Sequence, residues 1–257
     1  MKRLAPLLVL AIGLVAASAR AQRTAPETSA GPCGPVLVSP LWAAVPEPER
    51  TGFSVEPVAD EDPRGTTAPR VAEIELDGAP PREAVLGVDA IGDGSDDGRS
   101  AVWVLACRGT SWTSVGRLDF DNDSAWDGTL DDLPGLQVMR AETVPGIGHD
   151  LLRVEHVDVR GGADPRFVRR RFVLAHVVGG ALVTALDLVV SESVEAGPDR
   201  AEVFRATRTL VLRRGRVPSY RLTVRTVDEN ERSRVCRTVL TYDRRAFVAA
   251  HPGCAAR

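Results

Sequence analysis

The chain has 257 residues, of which 44% are hydrophobic, 26% charged and only 5% aromatic, and its formal net charge is −3. This apolar content is enough to close a core, which argues against a wholly disordered chain or a low-complexity fibre. The weakly negative charge argues against a nucleic-acid-binding protein, and the single membrane-like stretch, at the N-terminus, excludes a polytopic membrane protein.

The N-terminus has the pattern of a secretory signal peptide, which we assign to residues 1–21. A short basic segment ends at Arg3, and an apolar run follows from Leu4 to Ala17. Small-x-small cleavage sites then end at Ala19 and Ala21. The run is shorter than the ~20 residues that span a bilayer. We therefore expect an exported protein, periplasmic or extracellular, that is not membrane-spanning after cleavage.

Residues 22–69 are rich in proline and small residues and contain only short apolar runs. This composition predicts an extended, partly disordered segment that becomes ordered toward Cys33 or Phe53.

From residue 70 onward, short apolar runs are separated by Gly, Asp and Pro, and a helical period is hard to find. The runs predict strands at 71–76, 83–88, 101–107, 114–120, 136–142, 151–160, 167–178, 181–190, 203–213, 220–227 and 234–242. Gly179-Gly180 predicts a two-residue hairpin turn.

These strands predict that residues 70–257 form an all-β domain, mainly antiparallel, of about ten strands. The domain is expected to be a sandwich or an open barrel-like sheet, with one long meander from residue 151 to 242. A subdivision near residue 150 is left open. Residues 22–150 hold 23 acidic and 9 basic residues, whereas residues 151–257 hold 12 and 20.

The four cysteines form an even set without a C-x-x-C motif. In an exported chain this predicts two disulfides. Of the three possible pairings we favour Cys33–Cys107 and Cys236–Cys254, with buried free thiols as the alternative.

Two aspartate-rich stretches are candidate calcium sites. Counting from Asp119, carboxylates stand at positions 1, 3, 5 and 9, which are Asp119, Asp121, Asp123 and Asp127. Counting from Asp89, they stand at positions 1, 5 and 9, which are Asp89, Asp93 and Asp97. Alternate side chains of a tight loop converge on one cation, and clustered carboxylates repel one another without it. The alternative is turn chemistry, since Asp, Asn, Gly and Ser all favour turns.

Both stretches resemble the calcium loops of FG-GAP/VCBS-type repeats in secreted β proteins, which read roughly D-x-[DN]-x-D-G-x-x-D. Ile91 stands at the third position of one copy and Ser124 at the sixth position of the other. The resemblance covers about 20 residues and implies calcium-ligand roles for the matching aspartates. The fold of that family is not carried over.

Arg169 and Arg171 lie two residues apart on a predicted strand, so they share a face. They are candidates for binding an anionic group, with a solvated sheet face as the alternative. No nucleophile motif or zinc-ligand spacing stands out, and Lys2 is the only lysine, so no catalytic residue is assigned.

The sequence therefore favours a non-enzymatic secreted or periplasmic β domain that binds an envelope component or a protein partner, with stabilisation by calcium left open. One alternative is a secreted hydrolase with a carboxylate site that no sequence motif reveals. A purely structural role also stays open.

Overall fold

The computed structural model describes residues 31–55, 68–90, 98–122, 135–160, 166–196, 201–213 and 215–251. The predicted signal peptide lies outside these ranges. The described residues form two short helices and twelve strands: α1 Val38–Ala44, α2 Glu47–Arg50, β1 Arg70–Ile74, β2 Glu83–Ala90, β3 Gly98–Arg108, β4 Ser111–Asn122, β5 Gly135–Thr143, β6 Asp150–Arg160, β7 Arg166–Val178, β8 Ala181–Ala196, β9 Ala201–Arg213, β10 Ser219–Asp228, β11 Ser233–Tyr242 and β12 Phe247–Ala249. Neither helix is long and apolar enough to cross a membrane.

The strands form two antiparallel sheets in which chain neighbours are sheet neighbours. Sheet 1 has the order β1-β2-β3-β4, and sheet 2 runs from β5 to β12 in sequence order. The prediction of an all-β, antiparallel, sandwich-like fold is confirmed, as is the long meander. Gly179 and Gly180 form the predicted turn, with φ of +61° and +80°, values that L-residues with a Cβ rarely adopt. The chain passes from one sheet to the other between β4 and β5.

The N-terminal segment departs from the sequence prediction. Residues 38–50 were predicted to be extended, yet they contain α1 and α2. These helices are too short for a 3.6-residue pattern to be visible, so tertiary packing stabilises them. Leu41 is fully buried, and Trp42 meets Trp103 of β3 edge-on, with ring centroids 5.5 Å apart. The segment thus covers the outer face of sheet 1.

The disulfide between Cys33 and Cys107 fixes this covering segment to the end of β3, with a Cα–Cα distance of 5.8 Å. This pairing is the one the sequence predicted. Cys236 is disulfide-bonded as well, and its predicted partner, Cys254, lies outside the described residues.

Sheet 2 divides into two halves because β8 and β9 pair over only part of their length. Residues 191–196 of β8 pair with residues 201–207 of β9. Residues 181–190 pair with β7 alone, and residues 208–213 pair with β10 alone, among the strands described. The strands therefore diverge, and we name β5–β8 the front half and β9–β12 the back half.

The front half is the middle layer of the molecule. One of its faces packs against sheet 1 through a cluster that includes Leu152, Val173 and Phe120. Its other face packs against the back half through a cluster that includes Phe172 and Leu222. Alternate residues of β6 and β7 therefore enter different cores, which explains why these strands are apolar on both faces.

Candidate functional site

A cavity of about 350 Å³ opens between the two halves of sheet 2, where β8 and β9 diverge. We name it the cleft. Its volume lies within the range usual for small-molecule sites, about 300–1,000 Å³. Strands β5 to β10 all contribute to its lining, which consists of Glu142, Arg153, Glu155, Phe172, Val190, Arg208, Thr209, Leu210 and Tyr220.

Successive side chains of β6 and β10 alternate between the two faces of the sheet, and this alternation places polar groups of the cleft beside apolar side chains. Leu151 of β6 is in the core between the halves, so Arg153 and Glu155 follow it on the same face. On β10, Tyr220 and Leu222 share the inward face in the same way. Hence the core between the halves ends in a cavity with charged side chains at its rim.

Arg153 organises the acidic side of the cleft. Its Nη1 donates a hydrogen bond to Glu142 at 3.1 Å, and its Nε donates to Glu155 at 2.8 Å. Its guanidinium also lies over the ring of Phe172, 5.1 Å from the centroid. Both carboxylates of the rim are thus paired with one cation.

Tyr220 lines the cleft and carries a buried hydroxyl. The residue is only 5% exposed, and its Oη has no hydrogen-bond partner among the described residues. Its ring is held by Phe247 of β12, with centroids 5.0 Å apart. Burial, with a smaller effect of the Glu142 charge, raises the pKa of Tyr220 to about 12, and Arg153 opposes this. The phenol therefore keeps its proton at neutral pH and acts as a donor.

Arg208 of β9 brings a second cation to the lining. Its Nη1 donates a hydrogen bond to the main-chain oxygen of Val189 at 2.9 Å, where the edge of β8 turns away from β9. Burial lowers the pKa of Arg208, Glu192 raises it, and the like charge of Arg169 lowers it further. Its environment thus disfavours the guanidinium charge, and Glu192 offsets this effect in part.

A second, smaller cavity lies between sheet 1 and the front half, and we name it the polar pocket. Its volume is about 190 Å³. The even-numbered residues of β6 face sheet 1, and the ring of His156 stacks on that of Phe120 at 4.7 Å. The lining consists of Phe120, Asp121, His156, Asp158, Arg169, Arg171 and Val189.

Arg169 and Arg171 both line the polar pocket, so the prediction that they share a face is confirmed. Each is already paired with a carboxylate of β8. Arg169 binds Glu192 at 2.7 Å, and Arg171 donates to Asp187 from Nε at 2.7 Å. An incoming anion would compete with these partners, and anion binding by the two arginines stays a prediction.

Two of the candidate calcium ligands, Asp119 and Asp121, lie in a strand and not in the loop that the sequence predicted. β4 continues to Asn122, so Asp119 and Asp121 are strand residues, which corrects the predicted loop start. Both are exposed, and Asp119 forms an ion pair with Arg117 at 2.8 Å. Asp123 and Asp127 lie outside the described residues.

Asp89 likewise lies in a strand, β2, and it is only 7% exposed. Its Oδ1 accepts hydrogen bonds from Ser100 Oγ at 2.5 Å and from the Leu136 N–H at 2.9 Å. Asp93 and Asp97 lie outside the described residues. Calcium binding by either stretch stays a prediction, and Asp89 has a structural role that the sequence did not indicate.

An acidic cluster that the sequence reading missed lies at the connection of β1 and β2. Carboxylate oxygens of Glu75, Asp77 and Glu83 lie within 4.8 Å of one another and could hold a cation. Glu83 is 2% exposed and accepts a hydrogen bond from the Leu76 N–H at 2.8 Å. Burial raises its pKa to about 7, so protonation is another way to relieve the repulsion. No sequence signal was available, because the turn of the chain brings the three residues together.

Two histidines also meet in the structure. His149 Nε2 lies 2.9 Å from His176 Nδ1, and the rings stack with centroids 5.2 Å apart. His176 is fully buried, and its Nε2 donates to the main-chain oxygen of Arg245 at 2.9 Å. The pair therefore links the β5–β6 loop, β7 and the β11–β12 turn.

Comparison with protein-family models, with curated proteins and with solved structures finds no match to this chain. The chemistry of the described residues therefore carries the functional argument.

Proposed function

We propose that this protein is an exported, non-enzymatic β-sandwich domain that binds a small component of the cell envelope in the cleft. The observation that carries this proposal is the cleft itself, a cavity of about 350 Å³ in which side chains of six strands bring polar groups beside an apolar surface.

The shape of the cleft supports binding rather than simple imperfect packing. Phe172, Val190 and Leu210 provide an apolar floor, and polar groups converge on it from several strands. A concave apolar surface with a few directed polar groups is the usual form of a small-molecule site. The divergence of β8 from β9 opens this surface without interrupting the rest of the meander.

Export is supported by two independent features. Residues 1–21 have the composition of a signal peptide. The Cys33–Cys107 disulfide is of the kind that persists in oxidising compartments such as the periplasm or the extracellular medium. We propose one of these two locations for the mature protein.

A hydrolase is the second candidate function, because two carboxylates, Glu142 and Glu155, line the same cleft. Both are hydrogen-bonded to Arg153. Binding and hydrolysis are distinguished by recovering the bound molecule after prolonged incubation: a binding protein returns it unchanged, whereas a hydrolase returns a cleaved product.

The binding proposal is tested with the neutral fluorescent probe N-phenyl-1-naphthylamine, whose emission increases in an apolar site. We expect the emission to rise on addition of the mature, oxidised protein. Leu210→Trp fills the cleft and should abolish the rise.

Val211→Trp is the matched control, because Val211 is the next residue of β9 and is 53% exposed on the opposite face. This variant should bind the probe like the wild type. Equal binding by Leu210→Trp, or no binding by the wild type, would contradict the proposal.

A further inference from the structure

The back half has an outward face that no other described layer covers. Leu222 of β10 and Leu240 of β11 are buried in the core between the halves, so the residues that alternate with them point away from that core. We name this surface the basic face. It consists of the odd-numbered residues 211–213 of β9, 219–225 of β10 and 235–241 of β11, together with Val248 of β12.

Four arginines are spread over the basic face, and no Asp or Glu belongs to it. Cross-strand pairing places one arginine in each of four successive rows, in the order Arg213, Arg221, Arg237 and Arg225. Successive rows on one face of a sheet are about 7 Å apart, so the four cations span about 20 Å. All four residues are exposed, and none forms an ion pair with a carboxylate of the described residues.

Acidic residues of the described back half stand in the turns on either side of β11. Asp228 Oδ1 accepts hydrogen bonds from two N–H groups of its own turn, at 3.0 and 2.9 Å, and Asp243 Oδ1 does the same at 2.9 and 2.8 Å. Glu229 and Glu231 follow Asp228 beyond the end of β10. The basic face therefore attracts an anionic partner, most strongly at the Arg213 end.

Aliphatic side chains are exposed between and beside these arginines. Eight large hydrophobic side chains of the described residues are exposed, and five of them, each 39–53% exposed, belong to the back half. Val211, Val235 and Val248 lie on the basic face, and Leu212 and Val217 lie at the turn between β9 and β10. The basic face has no aromatic side chain of the kind that anchors many protein interfaces. Arginines mixed with aliphatic side chains suit the surface of an anionic bilayer.

We propose that the basic face docks this protein on the surface of a bilayer that contains anionic phospholipid. The guanidinium groups bind head-group phosphates, and the exposed aliphatic side chains contact the boundary between head groups and acyl chains. This docking does not depend on a ligand in the cleft, because the cleft residues Leu210 and Tyr220 lie on the inward side of the back half.

The experiment is co-sedimentation of the mature, oxidised protein with lipid vesicles. One set of vesicles contains equal parts of phosphatidylglycerol and phosphatidylcholine, and the reference set contains phosphatidylcholine alone. We expect the protein to bind the anionic vesicles and not the neutral ones. Molar salt should release it, because the Debye length then falls to about 3 Å.

The triple variant Arg213→Gln/Arg221→Gln/Arg237→Gln tests the arginines. It should weaken binding to the anionic vesicles about 100-fold, since each arginine near such a surface contributes a factor of about five. The matched control is Arg82→Gln/Arg99→Gln/Arg140→Gln, which removes the same charge from exposed positions of sheet 1 and β5. The control should bind like the wild type, and urea denaturation should show that both triple variants are folded.

The aliphatic contact is tested by Val211→Ser/Val235→Ser, which should weaken binding to the anionic vesicles about fivefold. Val71→Ser/Val178→Ser is the matched control, because these valines are also exposed but lie on β1 and at the end of β7. It should leave the binding unchanged.

Three outcomes would overturn the proposal. The first is that the wild type does not bind the anionic vesicles or binds the neutral ones equally well. The second is an equal loss of binding in the two triple arginine variants. The third is self-association of the wild type without vesicles, measured by sedimentation velocity and lost in the basic-face variant, which would show that a second copy of the chain covers this face.

Discussion

The carboxylate of Asp89 in β2 accepts a hydrogen bond from the main-chain N–H of Leu136, the second residue of β5, at 2.9 Å. This bond joins sheet 1 to the first strand of sheet 2. Gly135 allows the close approach: its φ is +109°, and a Cβ there would lie 2.9 Å from Asp89 Oδ1. The contact fixes where the middle layer begins, and the two faces of that layer form the polar pocket and the cleft.

Asp89→Ala should lower the free energy of unfolding by about 2–3 kcal/mol, because it leaves the buried Leu136 N–H and the Ser100 hydroxyl without this acceptor. Urea denaturation measures the difference. Asp119→Ala is the matched control: Asp119 is exposed and paired only with Arg117 in the contacts described, so its loss should cost less than about 1 kcal/mol. Equal effects of the two substitutions would contradict the structural role of Asp89.

Glu83→Gln should stabilise the protein at alkaline pH and have little effect in acid. The pKa of Glu83 is raised from 4.5 to about 7 in the folded state, so folding favours the protonated form. The protonated Glu83 side chain therefore contributes to the free energy of unfolding below pH 4.5, and this contribution is lost as the pH rises through 7. Glutamine mimics the protonated form, and above pH 7 the gain should reach about 2 kcal/mol.

Urea denaturation between pH 4.5 and 8.5 tests this prediction, and Glu229→Gln, in an exposed turn, is the control. A gain that does not grow with pH would show that Glu83 is ionised in the folded protein throughout the range.

The His149–His176 pair should make the protein less stable below neutral pH. Burial lowers the pKa of both residues, although Asp77 and Asp150 oppose this at His149 and the hydrogen bond to Arg245 opposes it at His176. The folded state therefore binds fewer protons than the unfolded state. The associated stability is fully present above the unfolded pKa of about 6.5 and is lost as the pH falls below it.

His149→Gln should reduce the slope of unfolding free energy against pH between 5 and 7, while His251→Gln, at an exposed position, should leave it unchanged. An unaltered slope in His149→Gln would exclude the pair as the origin of the acid sensitivity.

The double variant Cys33→Ser/Cys107→Ser should lower the free energy of unfolding by about 2–4 kcal/mol, because the bridge closes a long loop in the unfolded chain. The variant is preferable to a reductant, since Cys236 is also disulfide-bonded. If the N-terminal segment detaches before the sheets unfold, the fluorescence of Trp42 and Trp103 should change at a lower urea concentration than the circular dichroism of the strands. A variant as stable as the wild type would mean that packing alone holds the segment.

Calcium binding is tested by thermal unfolding of the mature, oxidised protein with and without millimolar calcium. We expect a rise in melting temperature by mass action, and its loss in Asp121→Ala. Magnesium is the control ion, because it fits poorly in a flexible many-oxygen site. No rise in the wild type would mean that the aspartate-rich stretches form turns and bind no calcium.

The amino-acid sequence by itself indicated most of the strands, the antiparallel meander and the Gly179-Gly180 turn, and it favoured the Cys33–Cys107 bridge among three pairings. Period-two patterns and turn residues are local signals, and they state which residues of a strand face inward. Only the tertiary structure decided which layer covers each face, because β8 and β9 pair only over residues 191–196 and 201–207 and the rest of each strand packs against distant strands. Tyr220 reads in sequence as an ordinary core residue. It lines the cleft together with Glu142 and Arg153, which are far from it in the chain and near it only in the fold.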